Sequence, residues 1–292
     1  MSDLSYPRAE SRFALKRLEP FGVEVDFDLR GLQDPADRAA FRDLFWREKL
    51  LVFRGQALSE DEQVNVLSAI GDVLGAKGEY REISSDGNLG AGPLCYHSDL
   101  SFTPEPFKVL SLQALEVVDD QTWTRFASSL HALQRLPADL RRKVEGLDAL
   151  AGISIVQSHR DIAYELPAYL PQESRPAVIA HPETGEPLLY VSEMQTARFE
   201  GLEPTQSDAL LQELFTYLYA PENVHQHDWR NGDLVIWDNI ALQHSRPDLT
   251  GCTPRRLQRV AVADKSFFDL CPQFNLGDPR VRAWASGEKL AV

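Results

Sequence analysis

The sequence predicts a single α+β domain over residues 1–292, built on an antiparallel sheet or sandwich with helices around it. Two observations carry that expectation. Helical periodicity gathers in the first quarter of the chain and in two later inserts, while short apolar runs suited to strands dominate the rest. In addition, no internal repeat, low-complexity tract or linker divides the chain.

The elements follow in order. "DPADRAAFRDLFWREK" (34–49) predicts a helix with Asp34 as N-cap, Pro35 in the first turn and Phe41, Leu44 and Phe45 on one face. "LLVFRG" (50–55) predicts a buried strand ended by Gly55. In "SEDEQVNVLSAIGDVLG" (59–75), Ser59 and Glu62 have capping-box spacing and Val66, Leu67 and Ile70 follow at helical period. Residues 76–93 turn polar and glycine-rich, as expected of a mobile loop. They precede "LCYHSDLSF" (94–102), read as a strand. "FKVLSLQALEVV" (107–118) predicts another strand, and "SSLHALQRL" and "ADLRRKVEGL" two short helices separated by Pro137. Residues 152–180 show no clear pattern. "PLLYVS" (187–192) predicts a strand and "SDALLQELFTYLYA" (207–220) an amphipathic helix carrying Leu210, Leu211, Leu214 and Leu218. "RNGDLVIWDN" (230–239) places an Asn231-Gly232 turn before a strand, and "RRLQRVAVAD" (255–264) predicts a late strand.

A hydrophobic fraction of 43% and a charged fraction of 25% provide ample material for a core. The 44 acidic against 30 basic residues, a formal charge of −14, argue against a nucleic-acid surface, which needs clustered Lys and Arg. "MSDLSYPRAESRF" has no apolar core of the signal-peptide kind. No run approaches the roughly 18 apolar residues of a membrane span. Cys95, Cys252 and Cys271 form no CxxC spacing, which suits free thiols in a reducing, cytoplasmic setting.

Residues i and i+2 of a strand point the same way, so His97 and Asp99 can offer a nitrogen and an oxygen to one point. Alone, such a pair is more often a solvated strand face. A third ligand would change that, because two histidines and a carboxylate on one face of a metal suit non-haem Fe(II) and its oxygen chemistry. Among the remaining histidines, His131 lies in a helical pattern and His159 in the unassigned segment. His225 and His227 read as surface or strand-edge residues, whereas His244 closely follows "DLVIWDN". Further on, Arg255 and Arg259 share a strand face with Leu257, and Arg256 and Gln258 lie opposite. Arginines so placed need anions, either structural carboxylates or a small acidic ligand.

With these residues in view, the chain resembles the taurine dioxygenase / 2,4-dichlorophenoxyacetate dioxygenase family of Fe(II)- and 2-oxoglutarate-dependent oxygenases. The resemblance runs through "FGVEVDFDLRGL" (21–32), "LLVFRGQALSEDEQ" (50–63), "YHSDLSF" (96–102) and "HPETGEPLLYVS" (181–192). It continues through "GLEPTQSDALLQELFTYL" (201–218), "WRNGDLVIWDNIALQH" (229–244) and "PRRLQRVAV" (254–262). It implies a double-stranded β-helix, or jelly roll, with flanking helices. His97, Asp99 and His244 match the iron ligands. Arg255, eleven residues after His244, matches the arginine that pairs the distal carboxylate of 2-oxoglutarate. Arg259, fifteen after it, matches the arginine that meets the substrate's acidic group. Where the family has a "GGDT" turn this chain has "DDQTWT" (119–124), so Thr122, with Thr124 as the alternative, would help hold 2-oxoglutarate.

The implied reaction consumes O₂ and 2-oxoglutarate, releases succinate and CO₂, and hydroxylates a C–H bond of a small acidic molecule. Related halogenases lack the carboxylate that Asp99 supplies, which favours hydroxylation. Tyr96 stands where a tryptophan is common, and Leu94 where the taurine enzyme has a polar contact, which argues against taurine. The glycine-rich stretch 84–94 would cover the pocket. Cys95 reads as a packing residue, and Trp237 and Asp238 as structural ones. A homo-oligomer is expected, without nucleic-acid or membrane partners. Two other readings compete: a non-catalytic jelly-roll binding protein, and a zinc hydrolase using the same three ligands.

Overall fold

The computed structural model describes residues 12–74, 82–84, 91–252, 254–275 and 277–286, and its first element is a hairpin of β1 (Ala14–Arg17) and β2 (Val23–Asp26). Helix α1 (Pro35–Glu48) starts where the sequence places it: the Asp34 carboxylate accepts the backbone N–H of Ala36 and Asp37. It ends at Lys49, whose left-handed φ of 64° turns the chain straight into β3 (Leu50–Phe53). Helix α2 (Glu60–Leu67) carries the reciprocal Ser59–Glu62 capping box.

Strands β4 (Glu82–Ser84), β5 (Leu94–His97), β6 (Val109–Val117) and β7 (Trp123–Ser128) follow. Helices α3 (Ser129–Arg135) and α4 (Ala138–Val144) flank Pro137 as expected. Next come β8 (Asp148–Gly152), β9 (Gln172–Pro176), β10 (Val178–Ala180), β11 (Pro187–Leu189) and β12 (Thr196–Phe199). Helix α5 (Pro204–Leu218) leads to β13 (Val224–Asp228), β14 (Leu234–Asp238), β15 (Leu242–Arg246) and β16 (Arg255–Val262). The described chain closes with α6 (Phe267–Leu270) and α7 (Pro279–Ala285).

Two sheets build the body. The larger runs β1-β2-β3-β14-β6-β16-β4, antiparallel except for the β2–β3 pair, and the smaller runs β13-β7-β15-β5. One face of the large sheet, with Leu51, Phe53, Ile236 and Val260, packs on Phe41, Phe45, Val66 and Leu67 of α1 and α2. Its other face, with Leu50, Val52, Leu110, Val235 and Leu257, meets Phe126 and Leu242 of the smaller sheet. Because alternate residues of β3 and β14 serve two different cores, both strands read as unbroken apolar runs. Truncating Phe41 or Phe45 to alanine would cost about 3–5 kcal/mol. A third cluster packs Leu210, Leu211, Leu214 and Leu218 of α5 against Leu133, Val144 and Leu189.

Gly232 begins β14's approach with φ +78°, and a Cβ there would sit 3.0 Å from the carbonyl oxygen of Gln56. The Asn231 side chain accepts the Val117 N–H (2.9 Å), so the turn is tied to the end of β6. Two expectations differ from the structure. The "LCYHSDLSF" strand stops at His97, and residues 99–102 form turns. The unassigned stretch contains β9, whose "QESRP" sequence lacks any apolar alternation. Residues 75–81 and 85–90 lie outside the described residues, and with them most of the stretch 84–94 expected to cover the pocket.

Candidate active site

β5 and β15 are antiparallel neighbours, and their register sets His97 directly opposite His244. The two imidazole rings lie 4.2 Å apart, centroid to centroid. Asp99 joins them by a different route from the one the strand pattern predicts. Its N–H leaves the ladder and donates to Asn239 Oδ1 (2.8 Å), while Asn239 Nδ2 donates to the Asp99 carbonyl (3.0 Å) and to Phe107 O (2.8 Å). A side-chain amide thus takes the place of a neighbouring strand and holds the turn. Leu100 follows with φ 60°, a left-handed conformation uncommon for leucine. Asn239 sits in the turn between β14 and β15, where Asp238 Oδ1 accepts the N–H of Ile240 and Ala241, each at 3.0 Å. The sequence reading passed over Asn239; its signal was an Asp-Asn pair between two strands, a turn pattern with side chains suited to backbone hydrogen bonds.

Asp99 Oδ1 lies 3.5 Å from His97 Nε2 and 3.6 Å from His244 Nε2. Both spacings are less than twice a metal–ligand bond of about 2.1 Å. Among the described residues this is the one group of three or more His, Cys, Asp or Glu whose ligand atoms converge, all within 4.8 Å of one another. His97 Nδ1 is 2.8 Å from the Cys95 carbonyl, which only accepts, so Nδ1 carries the proton and the Nε2 lone pair faces the centre. Burial, reinforced by His97, pushes His244 down to about 3, leaving it a neutral ligand. For Asp99, burial works against the charge. The Arg259 guanidinium, with His97 and His244, outweighs it and holds the carboxyl well below the usual carboxylate range. Two imidazoles and one carboxylate on one side fit a divalent ion with open positions opposite.

The triad lies in the wall of a cavity of about 800 Å³. Its lining includes the basic Arg246, Arg255 and Arg259 and the apolar Leu94, Leu100, Phe102, Phe107, Phe267 and Phe274. Arg255 is buried, and its Nε and Nη1 have no hydrogen-bond partner among the described residues. Burial and the nearby Arg246 push it down to about 10, still cationic at neutral pH. Such a cation needs an anion that the described residues do not supply.

The remaining expected site residues fall differently. Thr122 precedes β7 and does not line the cavity, whereas Thr124 does, its Oγ1 accepting Trp229 Nε1–H at 3.0 Å. Arg259 lines the cavity, but its Nη2 engages Asp99 Oδ2 at 2.6 Å, so it reaches the triad's carboxylate. Arg256 is exposed and pairs with Glu82 at 2.9 Å. Cys95 is buried, and burial pushes its thiol up to about 12, consistent with a packing role. Tyr96 stacks on Tyr219 at 4.2 Å. His227 belongs to the edge strand β13, in line with its strand-edge reading, but it is buried against Asp233 and not on the surface. Its side chain alternates inward while those of its neighbours Gln226 and Asp228 are exposed.

A family model described as "Taurine catabolism dioxygenase TauD, TfdA family" matches residues 14–261, a span that includes the triad and all three arginines. The chain belongs to this family. An (S)-phenoxypropionate/alpha-ketoglutarate-dioxygenase of Sphingobium herbicidovorans is 32% identical over 234 residues, covering 71% of this chain and 80% of that protein. An alpha-ketoglutarate-dependent 2,4-dichlorophenoxyacetate dioxygenase of Cupriavidus pinatubonensis is 28% identical over 272 residues, 83% of this chain and 94% of that one. Among solved structures, a taurine dioxygenase from Burkholderia xenovorans superposes with a TM-score of 0.72 at 27% identity, covering 87% of this chain and 91% of that one. This TauD/TfdA-family chain is therefore a 2-oxoglutarate-dependent dioxygenase acting on a small organic substrate. Neither the zinc-hydrolase nor the non-catalytic reading finds support among these relatives. Among the described residues no helix is long and apolar enough to cross a membrane.

Proposed function

We propose that the chain is an Fe(II)- and 2-oxoglutarate-dependent hydroxylase, one oxygenase domain with a double-stranded β-helix core. It would oxidise a C–H bond of an organic acid and release succinate and CO₂. The observation that carries this is the convergence of His97, Asp99 and His244 on the wall of a cavity that also presents the buried Arg255, whose Nε and Nη1 have no hydrogen-bond partner among the described residues. Fe(II), when bound, supplies the activation of O₂ coupled to decarboxylation of 2-oxoglutarate.

The protein's own part is positioning. His97, Asp99 and His244 hold one face of the ion and leave the opposite face open. Arg255 offers a planar fork to the distal carboxylate of 2-oxoglutarate, which fixes that molecule's register. Thr124 is preferred to Thr122 as its companion: its oxygen already accepts from Trp229, so its own O–H is left to donate to a carboxylate. Arg259 holds the outer oxygen of Asp99, which turns the inner one toward the two histidines. The apolar lining keeps water from the reacting centre. Free thiols at Cys95, Cys252 and Cys271 support a cytoplasmic setting. A homo-oligomer is part of the same proposal and is tested by light scattering.

The deciding experiment adds Fe(II) and then 2-oxoglutarate to metal-free protein without oxygen while the visible spectrum is followed. A weak absorption band that needs both additions is expected, absent in His244→Ala. Arg255→Ala should weaken 2-oxoglutarate binding by about 30-fold or more, the cost of leaving one partner of a buried charge pair unpaired. No band, with zinc retained in its place, would overturn the iron reading.

A further inference from the structure

We infer that the chain binds one small monovalent anion, of the size and charge of chloride, in a cleft between Arg175 and Tyr190 that is separate from the triad's cavity. The lining of the cleft includes Ser98, Ser101, Ser129, Arg175, Tyr190 and Thr196. No residue that lines it also lines the cavity of His97, Asp99 and His244. The inference is independent of the proposed oxygenase chemistry.

In a chain with a formal charge of −14, this lining supplies one cation and several hydroxyls but no carboxylate. Arg175 sits on β9, opposite Ala149 of β8. Its Nη2 donates to the Thr103 carbonyl, while its Nε is buried and has no hydrogen-bond partner among the described residues. The buried Tyr190 hydroxyl is equally without one. The two groups are close neighbours, with the Arg175 guanidinium 5.3 Å from the Tyr190 ring centroid. Burial pushes the phenol up to about 12, so at neutral pH it is an O–H donor. Asp238 is the carboxylate whose charge reaches Tyr190, but it faces His181 at 2.9 Å and does not line the cleft.

Two further hydroxyls add to the donors. Thr196 Oγ1 accepts the Ser192 N–H at 2.8 Å, and Ser129 Oγ accepts from Gln243 Nε2 at 3.3 Å, so each keeps its own O–H to give. Buried donors without an acceptor destabilise a fold, and a cation without a counter-charge does so more. One acceptor-only ion satisfies both needs. A water-sized sphere could move its centre through about 10 Å³ of the cleft, so a single chloride-sized ion fits there and 2-oxoglutarate does not. The Ser98 N–H and Ser101 Oγ both donate to Gln195 Oε1, at 3.3 and 2.6 Å. These two serines bracket Asp99 in the chain, so the ion rests against the turn that carries Asp99.

The test follows thermal unfolding of the full chain at pH 7 in sodium chloride and in sodium gluconate, whose anion is too large for the cleft, at the same ionic strength. The melting temperature should be higher in chloride by about 2 °C or more, because an ion that binds only the folded chain stabilises it. Tyr190→Phe and Arg175→Gln should each cut that difference to less than half, and each should also narrow the chloride magnetic-resonance line that the unsubstituted protein broadens. The gluconate melt shows whether a variant is folded, and Tyr190→Phe, which keeps the ring beneath Arg175, decides alone if Arg175→Gln does not fold. Equal melting temperatures in the two salts would overturn the inference, since water alone would then occupy the cleft. A difference of full size in either folded variant would also overturn it, because the ion would then act elsewhere, for example at the arginines of the triad's cavity.

Discussion

His181 and His227 face aspartates even more closely than His97 and His244 do, yet the surroundings give the two groups opposite roles. His181 Nε2 lies 2.9 Å from Asp238 Oδ2, and neither side chain is exposed to solvent. Its Nδ1 accepts the N–H of Glu183 and Thr184, and the other oxygen of Asp238 caps two backbone groups. His227 likewise meets Asp233, whose Oδ2 also takes the Arg230 N–H at 2.8 Å. These pairs lie inside the fold, and none of their four side chains lines the cavity. At the cavity, by contrast, two Nε2 atoms and one carboxylate oxygen point at open volume. Residue type is the same in both places; convergence on space is what marks chemistry.

The comparison is broken most directly at the open site. His244→Ala should lower turnover and metal affinity by more than the roughly 100-fold that loss of an outer hydrogen-bond partner costs, because a ligand itself is removed. Its thermal stability should hold or rise, since crowded imidazoles are relieved. Succinate release and a melting curve on one preparation check both halves. A large loss of stability would show that the triad is structural after all.

His181→Ala should do the reverse. It strips a partner from the fully buried Asp238, and breaking such a pair costs about 3–5 kcal/mol. Denaturant unfolding should show that loss, while the folded fraction keeps its affinity for Mn(II). Equal stability would mean that Lys49, 3.8 Å from Asp238, compensates by itself.

Asn239 lies between these extremes, because it belongs to the closed network yet holds the Asp99 turn. Asn239→Ala should weaken metal binding by about 10–100-fold, the range for loss of a ligand's supporting hydrogen bonds. If affinity is unchanged, the left-handed Leu100 turn holds Asp99 unaided.

How much of this was legible in the sequence depended on the range of the interaction. Local devices were readable: the Asp34 and Ser59 caps, the unbroken apolar runs of β3 and β14, and the Asn231-Gly232 turn each depend on near neighbours. His97 and His244 were identifiable by flanking pattern, although nothing local reveals that strand register pairs them. The place of Asp99 is not legible in the strand pattern, since it depends on an amide 140 residues away. Thr124 could not be separated from Thr122, because the glycines that would anchor the comparison are missing and which threonine faces the cavity depends on β7's start. The inward turn of His227 on an edge strand is likewise tertiary, set by Asp233 and Trp229.

The smallest expected effect concerns pH and isolates the closed pairs. Burial lowers His227 below its ordinary value of 6.5, although Asp233 opposes the shift, and burial similarly lowers His225 and His131. Each therefore stays neutral in the fold at a pH where the unfolded chain already takes up a proton. The unfolded state binds more protons, so stability rises with pH across that window and is lost as pH falls below 6.5. One such histidine contributes at most about 1.4 kcal/mol per pH unit. Urea unfolding between pH 8 and pH 5 should show this slope, and His227→Gln should flatten it by about one histidine's share. An unchanged slope in that variant would mean that His227 takes up its proton alike in the folded and unfolded chain, and a steeper rise would mean that Asp233 holds it protonated in the fold as an ion pair.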